Sequence, residues 1–197
     1  LIEIIFVIFM IALFSVVLVA DFPRTQRQLA LSRSTYKMAQ NLRKTQDLGL
    51  SGVKIVDIFG QDIAVKGYGI FFDLINSPEQ YIIYADIYDP EAPENNYKYS
   101  GSGAYASNLC VDKNRPQVDC VIDIIDIKEE NRSLVIRDIL NISGPSTSIN
   151  FRPPDPTVDI DNLAIGQSEI GIEFGLNTNN AAAKRVWINT SGLIKIE

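Results

Sequence analysis

Residues 1–20 read LIEIIFVIFMIALFSVVLVA, and this stretch decides how the rest of the chain is organised. Glu3 is its one charged side chain. About 20 apolar residues at ~1.5 Å rise per residue match the ~30 Å hydrocarbon core of a bilayer, so the run predicts a transmembrane helix. A helix buried in a soluble protein would show a polar stripe, and this run shows none; a secretory signal peptide would be shorter and would end in a small-residue cleavage site. Asp21, Phe22 and Pro23 close the run. Pro23 lacks a backbone donor and its ring clashes with the preceding turn, so a kink or local melting is expected there before helix resumes.

Residues 24–50 are rich in Gln, Arg, Leu, Ala and Lys, with no proline and no glycine before Gly49. Leu31, Met38, Leu42 and Leu48 fall near one face, which predicts an amphipathic stem docked on the remainder of the chain. Ser51 and Gly52 make a helix stop. Beyond them short apolar runs alternate with turn residues, predicting strands at 53–59, 63–65, 68–74, 80–87, 118–127, 134–142, 148–152, 169–176, 185–190 and 193–196. Residues 60–61, 76–78, 129–131 and 191–192 supply turns, and 88–108 reads as a long exposed loop. The expected fold class is α+β: a long kinked N-terminal helix, apolar anchor plus amphipathic stem, packed on a mainly antiparallel β head. The expected division is 1–23 for the membrane or filament-core helix, 24–52 for the stem and 53–197 for the head.

Charge follows the same division. Residues 22–54 carry seven bases against Asp47, whereas residues 55–197 carry eleven bases and twenty-one acids. A basic stem and an acidic head would attract one another between neighbouring subunits, or would each be solvated alone. The acidic head argues against nucleic acid as a partner.

The chain contains no histidine, which excludes a Ser-His-Asp triad, a histidine zinc site and an imidazole base. No phosphate-binding glycine loop occurs. Asp155 with Asp159 and Asp161, or Asp112 with Asn114 and Asp119, would supply oxygen ligands for calcium, but neither set follows the EF-hand spacing, and solvated turn acids are the default. No enzyme activity and no cofactor are expected.

The run of residues 1–20 resembles the N-terminal segment of bacterial type IV pilins and of the related pseudopilins of type II secretion. The segments YKMAQNLRKTQDLGLSG, GYGIFFDLINSPEQYIIYADIYD and RVWINTSGLIKI are similar, more loosely, to pseudopilin-like subunits in which strands follow the helix. The resemblance implies a basic leader removed by a prepilin peptidase, a methylated N-terminus and two mature residues ahead of Leu1. It implies a subunit, the major pilin, held in the inner membrane by its helix. Assembly machinery would then pack it with identical copies into an extracellular helical filament serving adhesion or motility. Glu3 would then pair with the amino terminus of an adjacent subunit and set axial register, a role for which buried ion pairs are suited. The alternatives are a type II secretion pseudopilin and a membrane-anchored binding module that never polymerises. Arg24 and Arg27, just past the apolar run, would by the positive-inside rule hold the head in the cytoplasm; a basic leader opposes them, and the head is expected outside.

In an exported protein, Cys110 and Cys120, flanking the polar loop CVDKNRPQVDC, predict a local disulfide; redox or metal chemistry fits less well because the spacing is not CxxC. Asn131, Asn141 and Asn189 sit in NxS/T sequons, which are glycosylated only where a host carries the machinery. Tyr88, Tyr97, Tyr99 and Tyr105 in the long loop would either form a contact surface or pin the loop to the head.

Overall fold

The computed structural model describes residues 2–56, 62, 63, 65–87, 98, 99, 119–153, 158–177 and 179–197, with backbone alone at 17–21, 56, 63 and 179–181. It opens with one helix, α1, Ile2–Ser51. Nothing before Gly49 but Pro23 opposes helix, and the end is set by Gly52 at φ 57°, a left-handed conformation that glycine adopts without a Cβ penalty. Residues 30, 31, 34, 35, 38, 39, 42, 45 and 49 of α1 are buried, the three- and four-residue spacing of a single helix face. Leu31, Met38 and Leu42 lie on this face as the stripe predicts, and Leu48 is half-buried beside it. The hydroxyls of Thr35 and Thr45, also on this face, donate 2.7 Å hydrogen bonds to the carbonyls of Leu31 and Asn41 one turn back, so they enter the core already satisfied.

Eleven strands follow among the described residues: β1 (Ile55–Val56), β2 (Asp62–Ile63), β3 (Val65–Asp73), β4 (Gln80–Ile87), β5 (Cys120–Asp126), β6 (Leu134–Leu140), β7 (Ser146–Phe151), β8 (Val158–Ile160), β9 (Glu169–Leu176), β10 (Asn179–Asn189) and β11 (Ile194–Ile196). β1 and β2 pair alone. The others form a five-stranded sheet in the order β5-β4-β3-β7-β8 and a four-stranded sheet in the order β11-β10-β9-β6, with every pairing antiparallel. The inner faces of both sheets share one core, in which Ile70, Phe72, Ile83 and Ile149 of the first meet Ile136, Ile172, Phe174 and Val186 of the second. α1 contacts β3 and β7 of one sheet and β9, β10 and β11 of the other, so its buried face closes this shared core.

The fold class expected from the sequence is corrected. The chain is predominantly antiparallel β, and no helix among the described residues is long and apolar enough to cross a membrane. From Ala30 onward the helix is a wall of the β core, docked through the stripe of Leu31, Met38 and Leu42. The backbone does not melt at Pro23, which stands inside a continuous α1.

Several strand limits also differ. β8 lies in a stretch read as turn acids, PTVDID. It is held at the sheet edge by Asp161 N–H to Ser148 O (2.9 Å), Val158 N–H to Thr190 O (3.0 Å) and an Arg152–Asp159 ion pair. β10 begins at Asn179 instead of 185, because pairing with β9 overrides the weak strand preference of NNAAA, with a bulge between Asn179 and Ala183. The second half of the expected 53–59 strand lies outside the described residues, as does the 88–108 loop apart from residues 98 and 99.

Candidate assembly surface

From Ile2 to Val16 every side chain of α1 is exposed, and all but Glu3 and Ser15 are apolar. The twelve large ones range from 38% exposed at Met10 to 83% at Ile2. Among the described residues no other element covers them, so they form an unsatisfied apolar surface. Ser15 hides its hydroxyl by donating to Ile11 O at 2.8 Å, leaving Glu3 as the single polar group that the segment presents. Glu3 sits in the first turn, where the helix dipole favours a carboxylate. Seven residues past Val16, Pro23 removes one hydrogen bond of the ladder while helix continues on both sides.

The head presents its polar groups differently, by pairing them. Glu173, buried on the outer face of β9, accepts from Arg185 Nε at 2.8 Å and faces the guanidinium of Arg137 at 3.6 Å. Gly171 and Gly175 flank Glu173 on the same face, and a Cβ on either would collide with the Trp187 indole or with Arg137. These glycines let long side chains lie flat across the sheet. On the other sheet, Asn150 donates to Asp86 (3.3 Å) and to the Tyr84 hydroxyl (3.4 Å), and Gly69 leaves the space that the Tyr84 ring fills. Burial, reinforced by the nearby Asp119 charge, raises the Tyr84 phenol above its ordinary range, and burial does the same for Tyr81.

The remaining candidates of the sequence fall as follows. Asp159 pairs with Arg152 and Asp161 with Lys98 (2.5 Å), while Asp119 accepts from Ile87 N–H at 3.2 Å. Asp112, Asn114 and Asp155 lie outside the described residues. Cys120 is buried at the start of β5 and no described cysteine is a free thiol; Cys110 lies outside the described residues. Asn131 accepts from Ser133 N–H (2.9 Å) and its hydroxyl (2.6 Å), Asn141 at φ 66° donates to Glu169 O (3.0 Å), and Asn189 accepts from Leu193 N–H (2.8 Å). Tyr99 packs on Phe71 and Tyr84 with ring centroids 4.7 and 5.2 Å away, the pinning arrangement; Tyr88, Tyr97 and Tyr105 lie outside the described residues.

The sequence reading missed the Arg137–Glu173–Arg185 cluster. The alternation in EIGIEFGL puts Glu173 on the polar side of a strand, but its two arginines come from strands whose register a single sequence does not reveal. Comparison of the chain with protein-family models, with curated proteins and with solved structures finds no match in any of the three, so the reading of this surface stands on its geometry and chemistry.

Proposed function

We propose that the chain is a structural subunit, the major pilin, of an extracellular type IV pilus-like filament built by packing N-terminal helices of identical copies. The observation that carries this is the helical segment 2–16, apolar on all sides and covered by nothing among the described residues. Burying twelve large apolar side chains is worth roughly 1.5–3 kcal/mol each from full exposure; taken at the partial exposures here, the gain is on the order of 10–20 kcal/mol per subunit. A gain of that size favours any environment that covers the segment: the inner membrane before assembly, the helices of other copies afterwards. Identical helices supply such a cover for one another in a closed bundle, with the polar β heads outward.

Glu3 distinguishes the filament from a plain anchor, because a carboxylate in an apolar helix is costly until it is paired. The resemblance supplies the partner, the amino terminus of a neighbouring copy. The test is imaging of surface filaments made by the wild-type chain and by Glu3→Ala. Filaments in the wild type, lost or irregular in the variant, support the reading; unchanged assembly sinks the register role, and a wild type that never polymerises supports an anchored binding module.

A further inference from the structure

We infer that the outward face of α1 docks on the β5 edge of a second copy, an inference that rests on the self-assembling subunit proposed above. The described head cations are largely paired within the head: Lys54 with Asp62 (2.6 Å), Lys98 with Asp161 (2.5 Å), Lys128 with Glu79 (3.5 Å), Arg137 and Arg185 with Glu173, and Arg152 with Asp159. On α1, Lys37 also pairs, with Glu129 of the head (3.6 Å), but the outward face of the helix differs. Opposite its buried face stand Arg33, Tyr36, Gln40, Arg43 and Lys44, all exposed, and among the described residues no carboxylate pairs with Arg33, Arg43 or Lys44. Tyr36, 58% exposed, lies between the two arginines.

A surface of opposite charge exists on the head. Among the described residues β5 is an edge strand, and its register to β4 slips between Ile83 and Tyr84, which leaves Ile122 as an extra residue. The bulge turns both Ile122, 42% exposed, and Asp123 to solvent. Past the 3-10 turn Ile127–Glu129 comes Glu130, exposed and, like Asp123, in no ion pair among the described residues. Each surface thus has an exposed apolar group beside two charges. Arg33 and Arg43 are about 15 Å apart along the helix at ~1.5 Å per residue. Asp123 and Glu130 are separated by at most about 18 Å, at ~3.3 Å per strand residue and ~2 Å per 3-10 residue. Charge complementarity between the two surfaces makes a second copy the partner, with Tyr36 and Ile122 as the apolar groups the contact covers. An edge strand carrying acids is protected from strand addition and open to a basic helix. Because the two surfaces differ and sit on the same chain, the contact is head-to-tail and propagates, as a filament requires.

The full chain, dispersed in detergent and assembled by detergent removal, is followed by sedimentation and electron microscopy. Reversal of one surface (Arg33→Glu with Arg43→Glu, or Asp123→Lys with Glu130→Lys) should raise the concentration needed for assembly about tenfold or more. All four reversals in one chain should bring it back toward wild type, since complementarity is restored. Thermal melting of each variant in detergent shows that the head is folded. One-surface variants that assemble like the wild type, or a folded fourfold variant that does not recover, overturn the inference while leaving the filament reading in place. A one-surface helix variant that assembles normally but no longer binds phosphatidylserine-containing vesicles assigns the face to lipid and overturns it too. A wild-type chain that stays dispersed overturns both.

Discussion

Replacing Leu42 by Ala tests whether the second half of α1 is a wall of the β core. Leu42 is 0% exposed, on the helix face that meets both sheets, in the same cluster as Met38, Phe72 and Val186. Removing a buried leucine's outer carbons costs their transfer free energy plus the cavity they leave, about 2–5 kcal/mol when neighbours cannot collapse. Collapse is hindered here because the cavity would be bounded by a helix on one side and two hydrogen-bonded sheets on the others. For a chain of this size each kcal/mol lowers the melting temperature by roughly 2–4 °C, so a fall of about 5–15 °C is expected for the full chain in detergent. Tyr36→Ala, on the opposite face, should change melting by no more than about 0.5 kcal/mol, and since alanine favours helix at both positions the difference reports loss of packing. A Leu42→Ala melt within 2 °C of wild type, by differential scanning fluorimetry and near-ultraviolet dichroism, would show that the helix rides loosely on the sheets and refute the shared core.

Three further outcomes follow from particular residues. The Ser34 hydroxyl is buried on the same helix face without a hydrogen-bond partner among the described residues, so Ser34→Ala should stabilise by about 1 kcal/mol or more in the same melt, and a destabilised variant would reveal a partner. Asp73 is partly desolvated, which alone would raise its pKa, but hydrogen bonds from the Asn76 side chain and from the backbone N–H groups of Asn76 and Ile75 outweigh this and lower it. A depressed folded pKa gives stability that is present above the unfolded value near 3.9 and lost as pH falls through the folded one. Asp73→Asn should therefore flatten the acid limb of a pH melt below pH ~4, and an unchanged limb would refute the turn's contribution. The expected Cys110–Cys120 bridge predicts no thiol reactive toward Ellman's reagent in unreduced, unfolded protein and about 2–3 kcal/mol lost on reduction; two reactive thiols would refute it.

What could be read from the sequence was local and periodic. The apolar run and the Leu31, Met38 and Leu42 stripe are properties of consecutive residues on one helix, and β3, β4 and β9 carry enough branched and aromatic residues to declare themselves. β8 was hidden because its three residues sit among proline and aspartates, and only long-range partners such as Ser148 and Thr190 make it a strand. The early start of β10 was hidden because alanine and asparagine pair there only as β9 dictates. The same limit applies to the candidate surfaces. The apolar character of segment 2–16 was legible from composition, whereas its exposure came from the structure, and the helix face of Arg33 and Arg43 acquired meaning only when the structure showed most described head cations already paired.

The central claim is that the exposed apolar helix is the core of a filament of identical subunits. Electron cryo-microscopy of the assembled chain tests it most directly. The account predicts helical filaments in which residues 2–16 of successive copies pack around the axis with the β heads outside, and in which substituting Asp for Phe9 prevents their formation. Discrete monomers in detergent-free lipid, or filaments held by the heads with segment 2–16 lying free at the periphery, would contradict it.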